Sequence, residues 1–125
     1  MENWKDIEGF ERLFQVSNFG RVKRLLKNAH AKYMYANKYG DERIMNGYVE
    51  KAGYVTQCLS KNDKKKLVRV HRLVALAFIP NPENKRCVNH KDCDKTNNHV
   101  SNLEWCTHAE NMEHMWKNKR LCLVY

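Results

Sequence analysis

Apolar and polar positions along this chain switch between two periods, and the switch outlines the fold. Phe14-Gln15-Val16-Ser17 alternates, Asn18-Phe19-Gly20 supplies a turn, and Arg21-Val22-Lys23-Arg24 resumes the alternation. A period of two turns one face of a strand toward a core, so an opening loop followed by a short hairpin is predicted. A second hairpin is clearer. Tyr54 to Leu59 alternates, Ser60 to Lys66 reads as a charged polar turn, and Leu67 to Val70 returns. From His71 to Phe78 the period lengthens: Leu73, Val74, Ala77 and Phe78 stand at helical spacing. Ile79-Pro80-Asn81-Pro82 ends that helix, because proline lacks the N–H a continuing helix needs.

The last third repeats the pattern in another order. Cys87-Val88-Asn89 reads as a strand, residues 90–102 as a long polar loop, and Leu103-Glu104-Trp105 as a second strand. Thr107 and Glu110 stand three apart, as in a capping box that opens a helix. Behind them Ala109, Met112, Met115 and Trp116 share one helical face, which is expected to be core. Loops of this length in compact domains usually carry function. Residues 26–52 are polar, tyrosine-rich and poorly patterned, and predict only short strands and loops. No internal repeat or Gly/Ser linker interrupts the chain. The fold class is α+β: antiparallel hairpins first, then a strand–loop–strand–helix unit.

With 125 residues, 42% of them hydrophobic, the chain has material for one compact domain with a modest core. It has no apolar run of the ~18 residues that a membrane span needs. Met1 to Asp6 lacks the basic and apolar regions of a signal peptide, so a cytoplasmic protein is expected. The five cysteines (58, 87, 93, 106 and 122) are odd in number and contain no C-x-x-C pair, so reduced, buried thiols are expected. Convergence of Cys58, Cys87, Cys93 and Cys106 on a zinc ion is the weaker reading.

Charge changes the picture more than composition does. Of the net +9, residues 1–20 contribute −2, residues 21–72 contribute +10 and residues 73–125 contribute +1. A basic segment concentrated in a folded domain suits a polyanion, most often nucleic acid. Arg21, Lys23, Arg24, Lys64, Lys65, Lys66 and Arg69 are the candidate DNA contacts, although a solvated turn equally explains the Lys64 to Lys66 run.

Phosphodiester hydrolysis needs a base for water, a cation for the phosphate and leaving oxygen, and geometry that aligns them. Histidine is the natural base near neutral pH. His90 stands at a strand end beside Asn89, and Asn111 lies in the first turn of the last helix. The two amide oxygens suit a hard cation such as Mg²⁺. Asn102 closes the loop, from where a hydrogen bond across it would fix the ring of His90. His114 shares the helix face of Asn111 and is a candidate further ligand or phosphate contact. His71 reads as structural, His99 and His108 as solvent-facing or capping residues, and Asp92 and Asp94 as turn residues.

The segment from Val88 to Asn111, VNHKDCDKTNNHVSNLEWCTHAEN, closely resembles the HNH motif of phage homing endonucleases, which have the ββα-metal, or His-Me finger, fold. Val70 to Asn84 resembles the lead-in helix of that family, and Trp4 to Val22 an N-terminal element that often precedes it. The resemblance implies His90 as general base, Asn89 and Asn111 as ligands of a single metal ion, and Asn102 as the residue that positions the base. It also implies one Mg²⁺ or Mn²⁺ per site, products with a 5′-phosphate and a 3′-hydroxyl, and a phage-encoded protein in a bacterial host. Many relatives carry aspartate where Asn89 stands, and glycine is usual at Cys93. Larger relatives continue into a helix-turn-helix segment.

These readings define the expectations. Residues 1–52 form a DNA-contact element and 53–125 the nuclease core, together one compact unit. The function is metal-dependent hydrolysis of double-stranded DNA of the nicking or homing type, by a monomer, with a dimer as the alternative. The competing function is DNA binding on the same scaffold with little or no catalysis. A nonspecific degradative nuclease or toxin is the third reading.

Overall fold

A computed structural model describes residues 1–25 and 42–122; residues 26–41 and 123–125 lie outside the described residues, and with them most of the tyrosine-rich stretch. The N-terminal part is an antiparallel four-stranded sheet in the order β1 (Trp4–Asp6), β2 (Phe14–Ser17), β3 (Val22–Leu25), β4 (Glu42–Met45). The alternation sets the register: Val16 faces Val22 across the β2–β3 pair, and Phe14, Val16 and Val22 are buried. Strand β1 was not foreseen, since Trp4-Lys5-Asp6 has no apolar alternation. Its backbone pairs with β2, and the Trp4 ring lies under the Lys23 ammonium, 4.4 Å from the ring centroid.

A three-stranded sheet follows, β5 (Tyr48–Val49), β6 (Val55–Lys61) and β7 (Lys64–Arg69). Here the expected turn at Ser60 to Lys66 is too wide. Asn62 and Asp63 both take left-handed backbone, φ 53° and 63°, and pairing resumes at once with Lys61 opposite Lys64. Two left-handed residues make a tight hairpin turn whose twist matches the strands. The lysines therefore stand along an exposed strand rather than in a turn. Residues on both sides of the expected 52/53 division share this sheet.

Helix α1 (Val70–Phe78) continues directly from β7 without a side-chain cap and buries Val70, Leu73, Val74 and Ala75. One cluster joins these to Ile7 just after β1, Phe14, Val16 and Val22 of the first sheet, Leu59 of the second, and Val88 and Leu103 beyond the helix. Each such aliphatic side chain, fully buried, contributes about 1.5–3 kcal/mol. The N-terminal sheet and the C-terminal unit thus share a core.

That C-terminal unit is a two-stranded ribbon, β8 (Cys87–His90) with β9 (Leu103–Cys106), and a helix, α2 (His108–Cys122). The capping box forms as expected. Glu110 N–H donates to Thr107 Oγ1 at 3.1 Å, and Thr107 N–H to Glu110 Oε1 at 3.0 Å. The expected core face of α2 does not: Met112 is 39% and Trp116 65% exposed. The helix meets β8 and β9 on its Asn111 and His114 side, which is half-buried, and this turns Met112 and Trp116 outward. The side chain of Met115 lies outside the described residues.

Candidate active site

Successive side chains of a strand project to opposite faces. In the β8–β9 register Asn89 pairs with Glu104 on one face, while His90 pairs with Leu103 on the other. The two chemical neighbours in sequence thus straddle the ribbon.

His90 is buried, and its Nε2 lies 2.8 Å from Asn98 Oδ1. An amide oxygen only accepts hydrogen bonds, so Nε2 is the donor, and in the neutral ring the lone pair is left on Nδ1. The ring of His71 lies 5.0 Å from that of His90, centroid to centroid, and stacks at 5.0 Å and 19° on Tyr54. The Arg69 guanidinium sits 4.2 Å and the Lys95 ammonium 4.9 Å from the Tyr54 ring centroid. Burial pushes the pKa of His71 down to about 3, and the neighbouring His90 ring and the positive charges of Arg72 and Arg69 add to it. His71 is therefore a neutral packing partner of His90 near pH 7.

Residue 98 was not singled out in the sequence, where Asn102 was expected to fix the histidine ring. Asn102 acts on the loop instead. Its Nδ2 donates to Asp92 Oδ1 and to the Asn97 carbonyl, both at 2.9 Å, and its Oδ1 accepts from Asp92 N–H at 3.1 Å. Asp92 also accepts from Asp94 N–H and from Asn97 Nδ2, each at 2.8 Å. The Asn97 hydrogen bond, outweighing partial desolvation, holds the Asp92 carboxyl below its usual range. Asp92 and Asp94 are the turn residues expected. Cys93 takes left-handed backbone, φ 65°, which explains why glycine suits this position. His99 caps the 3-10 turn of Val100–Asn102 by accepting from Ser101 N–H at 3.1 Å.

On the other face, Asn89 Nδ2 donates to Glu104 Oε1 at 3.0 Å. That leaves the amide oxygen of Asn89 as its cation-binding atom. A cleft of about 330 Å³ runs beside it, lined by Lys85, Asn89, Glu104, Glu110, Glu113 and His114 among others. The structure thus brings His114 to the same cleft as Asn89. Asn111 is half-buried one turn earlier, its N–H donating to the Thr107 carbonyl at 2.9 Å, and is not among the residues lining the cleft. Among the described residues no three His, Cys, Asp or Glu side chains come together as a metal cage. The oxygens of Asn89 and Glu104, which meet at this cleft, are of the type that suits a hard, partly hydrated cation.

The basic candidates divide. Arg24, Lys64, Lys65 and Lys66 are exposed. Lys23 is buried over Trp4, Arg21 is tied to Glu2, and Arg69 pairs with Glu50 at 2.6 Å. The Arg21 hydrogen bond brings the Glu2 carboxyl down to about 2. Cysteines 58, 87, 93 and 106 are not joined in disulfides. Cys106 is buried, which raises its pKa to about 11, but Cys58 is exposed and Cys87 and Cys93 are half-buried, against the expectation of buried thiols.

A two-stranded ribbon with a histidine at its end, a clamped loop and a following helix is the architecture of a ββα nuclease unit. Comparison with known proteins agrees. Residues 2–60 match the NUMOD4 motif and residues 68–113 match the HNH endonuclease family. The chain is 39% identical over 110 residues to the DNA endonuclease I-HmuI of Bacillus phage SP01. It is 37% identical over 128 residues to the HNH endonuclease L247 of Acanthamoeba polyphaga mimivirus. A solved structure, described as DNA binding and cleavage by the HNH homing endonuclease I-HmuI, superposes with a TM-score of 0.76 and 36% identity. It covers 94% of this chain. The chain spans 55% of the phage enzyme's length, 28% of L247 and 59% of the solved structure's chain. The chain is thus similar to HNH homing endonucleases, with a match to the NUMOD4 motif followed by a match to the HNH endonuclease family. No helix among the described residues is long and apolar enough to cross a membrane.

The buried imidazole of His71 has a consequence for stability. Its folded pKa lies below the unfolded value, so between about pH 6.5 and 3 the unfolded chain binds a proton that the folded chain refuses. Stability should therefore fall on acidification through this window, with His71 contributing up to about 1.4 kcal/mol per pH unit. Urea unfolding at pH 7, 6, 5 and 4 should show a shallower dependence for His71→Phe. An unchanged slope would mean that His71 is protonated in the fold.

Proposed function

We propose that this chain is a metal-dependent HNH endonuclease that hydrolyses phosphodiester bonds of double-stranded DNA, with His90 as general base. One observation carries the reading: Asn98 holds His90 Nε2, which leaves Nδ1 as the proton acceptor within a ββα unit. Nδ1 takes a proton from a water molecule as the water oxygen attacks phosphorus and the 3′ oxygen departs, the latter taking a proton from solvent, so that a 5′-phosphate and a 3′-hydroxyl result. Asn89 and Asn111 would hold one Mg²⁺ or Mn²⁺, with Glu104 orienting Asn89 and His114 as a further ligand or phosphate contact. When bound, the cation supplies positive charge to the phosphate and the leaving oxygen. Asn102 keeps the loop closed behind the base. A monomer has one such site and cuts one strand at a time, so its first product is a nick.

Duplex contacts come from the exposed Arg24 and the Lys64 to Lys66 strand, each neutralised phosphate releasing counterions. Arg21, Lys23 and Arg69 contribute less, because each already has a partner in the fold. The alternative is a DNA-binding protein with feeble catalysis. It is favoured by one feature, the amide rather than carboxylate at position 89.

Nicking of supercoiled plasmid separates the two readings. With Mg²⁺ or Mn²⁺ present, the full chain should nick, and His90→Ala should slow nicking by ~10²- to 10⁴-fold while duplex affinity stays within a few-fold. Nicking at the original rate by His90→Ala would remove the residue from the mechanism. No metal-dependent nicking by the original chain would favour the binding-only reading.

Position 89 offers a second test. Asn89→Asp introduces an anionic ligand, but it also deletes the donor to Glu104 and sets two carboxylates opposite each other. In EDTA the variant should lose about 1–2 kcal/mol of stability. Mg²⁺ or Mn²⁺ should recover it and give a larger thermal shift than in the original chain. Equal metal-induced shifts in both proteins would place the cation away from Asn89.

A further inference from the structure

We infer that the N-terminal turn from Ser17 to Arg21 is a working part of the active site, because it braces Asn98 and so sets the orientation of His90. The inference rests on the reading of His90 as the base. Three consecutive residues of the turn meet three consecutive residues of the catalytic loop. The Asn18 carbonyl accepts from Val100 N–H at 2.9 Å, the Phe19 ring stacks on His99 at 5.2 Å and 23°, and Gly20 lies against Asn98. The last contact leaves no space. A Cβ on Gly20 would stand 2.8 Å from Asn98 Cβ and from its carbonyl oxygen, and 2.9 Å from its carbonyl carbon. Gly20 also takes φ +87°, which L side chains rarely adopt.

The turn is stiff enough to act as a brace. Ser17 is fully buried, its Oγ accepts from the N–H groups of Phe19 and Arg21 at 3.2 Å, and its carbonyl accepts from Gly20 N–H at 3.0 Å. Asn98 on the far side is buried and spends its amide oxygen on His90 Nε2. The path from the NUMOD4 segment to the base is therefore short: Gly20 backbone, Asn98 side chain, His90 ring. Packing between the two segments alone would not require contact at the residue that hydrogen-bonds the imidazole.

The experiment uses the full chain and four proteins: the original, Asn98→Ala, Gly20→Ala and the double variant. Cleavage at saturating duplex, duplex Kd and the ¹H signal of His90 Nε2–H in ¹⁵N-histidine-labelled protein are measured for each. Asn98→Ala is expected to slow cleavage by ~10- to 100-fold, as for other partners that fix a histidine tautomer, with Kd unchanged. Gly20→Ala is expected to do the same, and to abolish the slowly exchanging Nε2–H signal that the original chain should give. The double variant should be no slower than Asn98→Ala, because both changes break one path. Losses that multiply in the double variant, or a folded Gly20→Ala protein with the signal and rate intact, would overturn the brace.

If Gly20→Ala fails to fold, Phe19→Ala loosens the same joint without backbone strain, since Phe19 is 43% exposed. It is expected to weaken the His90 signal and slow cleavage with Kd unchanged, and an intact signal would overturn the proposal. Should the original chain not cleave at all, the proposed function fails, and the Nε2–H signal still decides the brace.

Discussion

The structure turns on a single hydrogen bond, 2.8 Å from His90 Nε2 to Asn98 Oδ1. An imidazole has two nitrogens, and a base needs the proton on one and the lone pair on the other. Because an amide oxygen cannot donate, this contact fixes which nitrogen is which. Much of the surrounding architecture serves to keep Asn98 in place. Asn102 and Asp92 close the loop from inside, the 3-10 turn leads it back into β9, and the turn of the first sheet presses on it from outside. His71 and Tyr54 then limit the tilt of the ring from its other side.

The pleat of the ribbon divides the labour. Asn89 and His90 are adjacent in sequence yet face opposite ways, so the two side chains have different neighbours. Glu104 belongs to the Asn89 side through its hydrogen bond to Asn89. The pair joins a neutral amide to a carboxylate, whereas aspartate at position 89 would set two carboxylates together. The carboxylate that position 89 lacks stands opposite it, at Glu104.

Much of this was legible in the sequence, and the failures have physical causes. The β2–β3 hairpin, the first helix, the β8–loop–β9 order and the Thr107/Glu110 box were all readable, because period and capping chemistry are local. The Lys64 to Lys66 strand was read as a turn because three exposed charges carry no alternation, while the turn itself rests on two left-handed residues, Asn62 and Asp63. Met112 and Trp116 share a helical face, but which face meets the ribbon is a tertiary matter, and here it is the Asn111 and His114 side. Asn98 and Asn102 both occupy the loop between β8 and β9. Only the folded path of that loop shows which one reaches the ring. Glu104 could have been found from the ribbon register alone, being opposite Asn89 once the strands are paired.

The orientation of the base is the central claim, and ¹⁵N NMR of the histidine-labelled, metal-free chain at neutral pH measures it most directly. The His90 ring should show a protonated, pyrrole-type Nε2 coupled to its hydrogen and an unprotonated, pyridine-type Nδ1. The opposite pattern, with the proton on Nδ1, would mean that the nitrogen assigned as the base has no lone pair to offer, and would contradict the account.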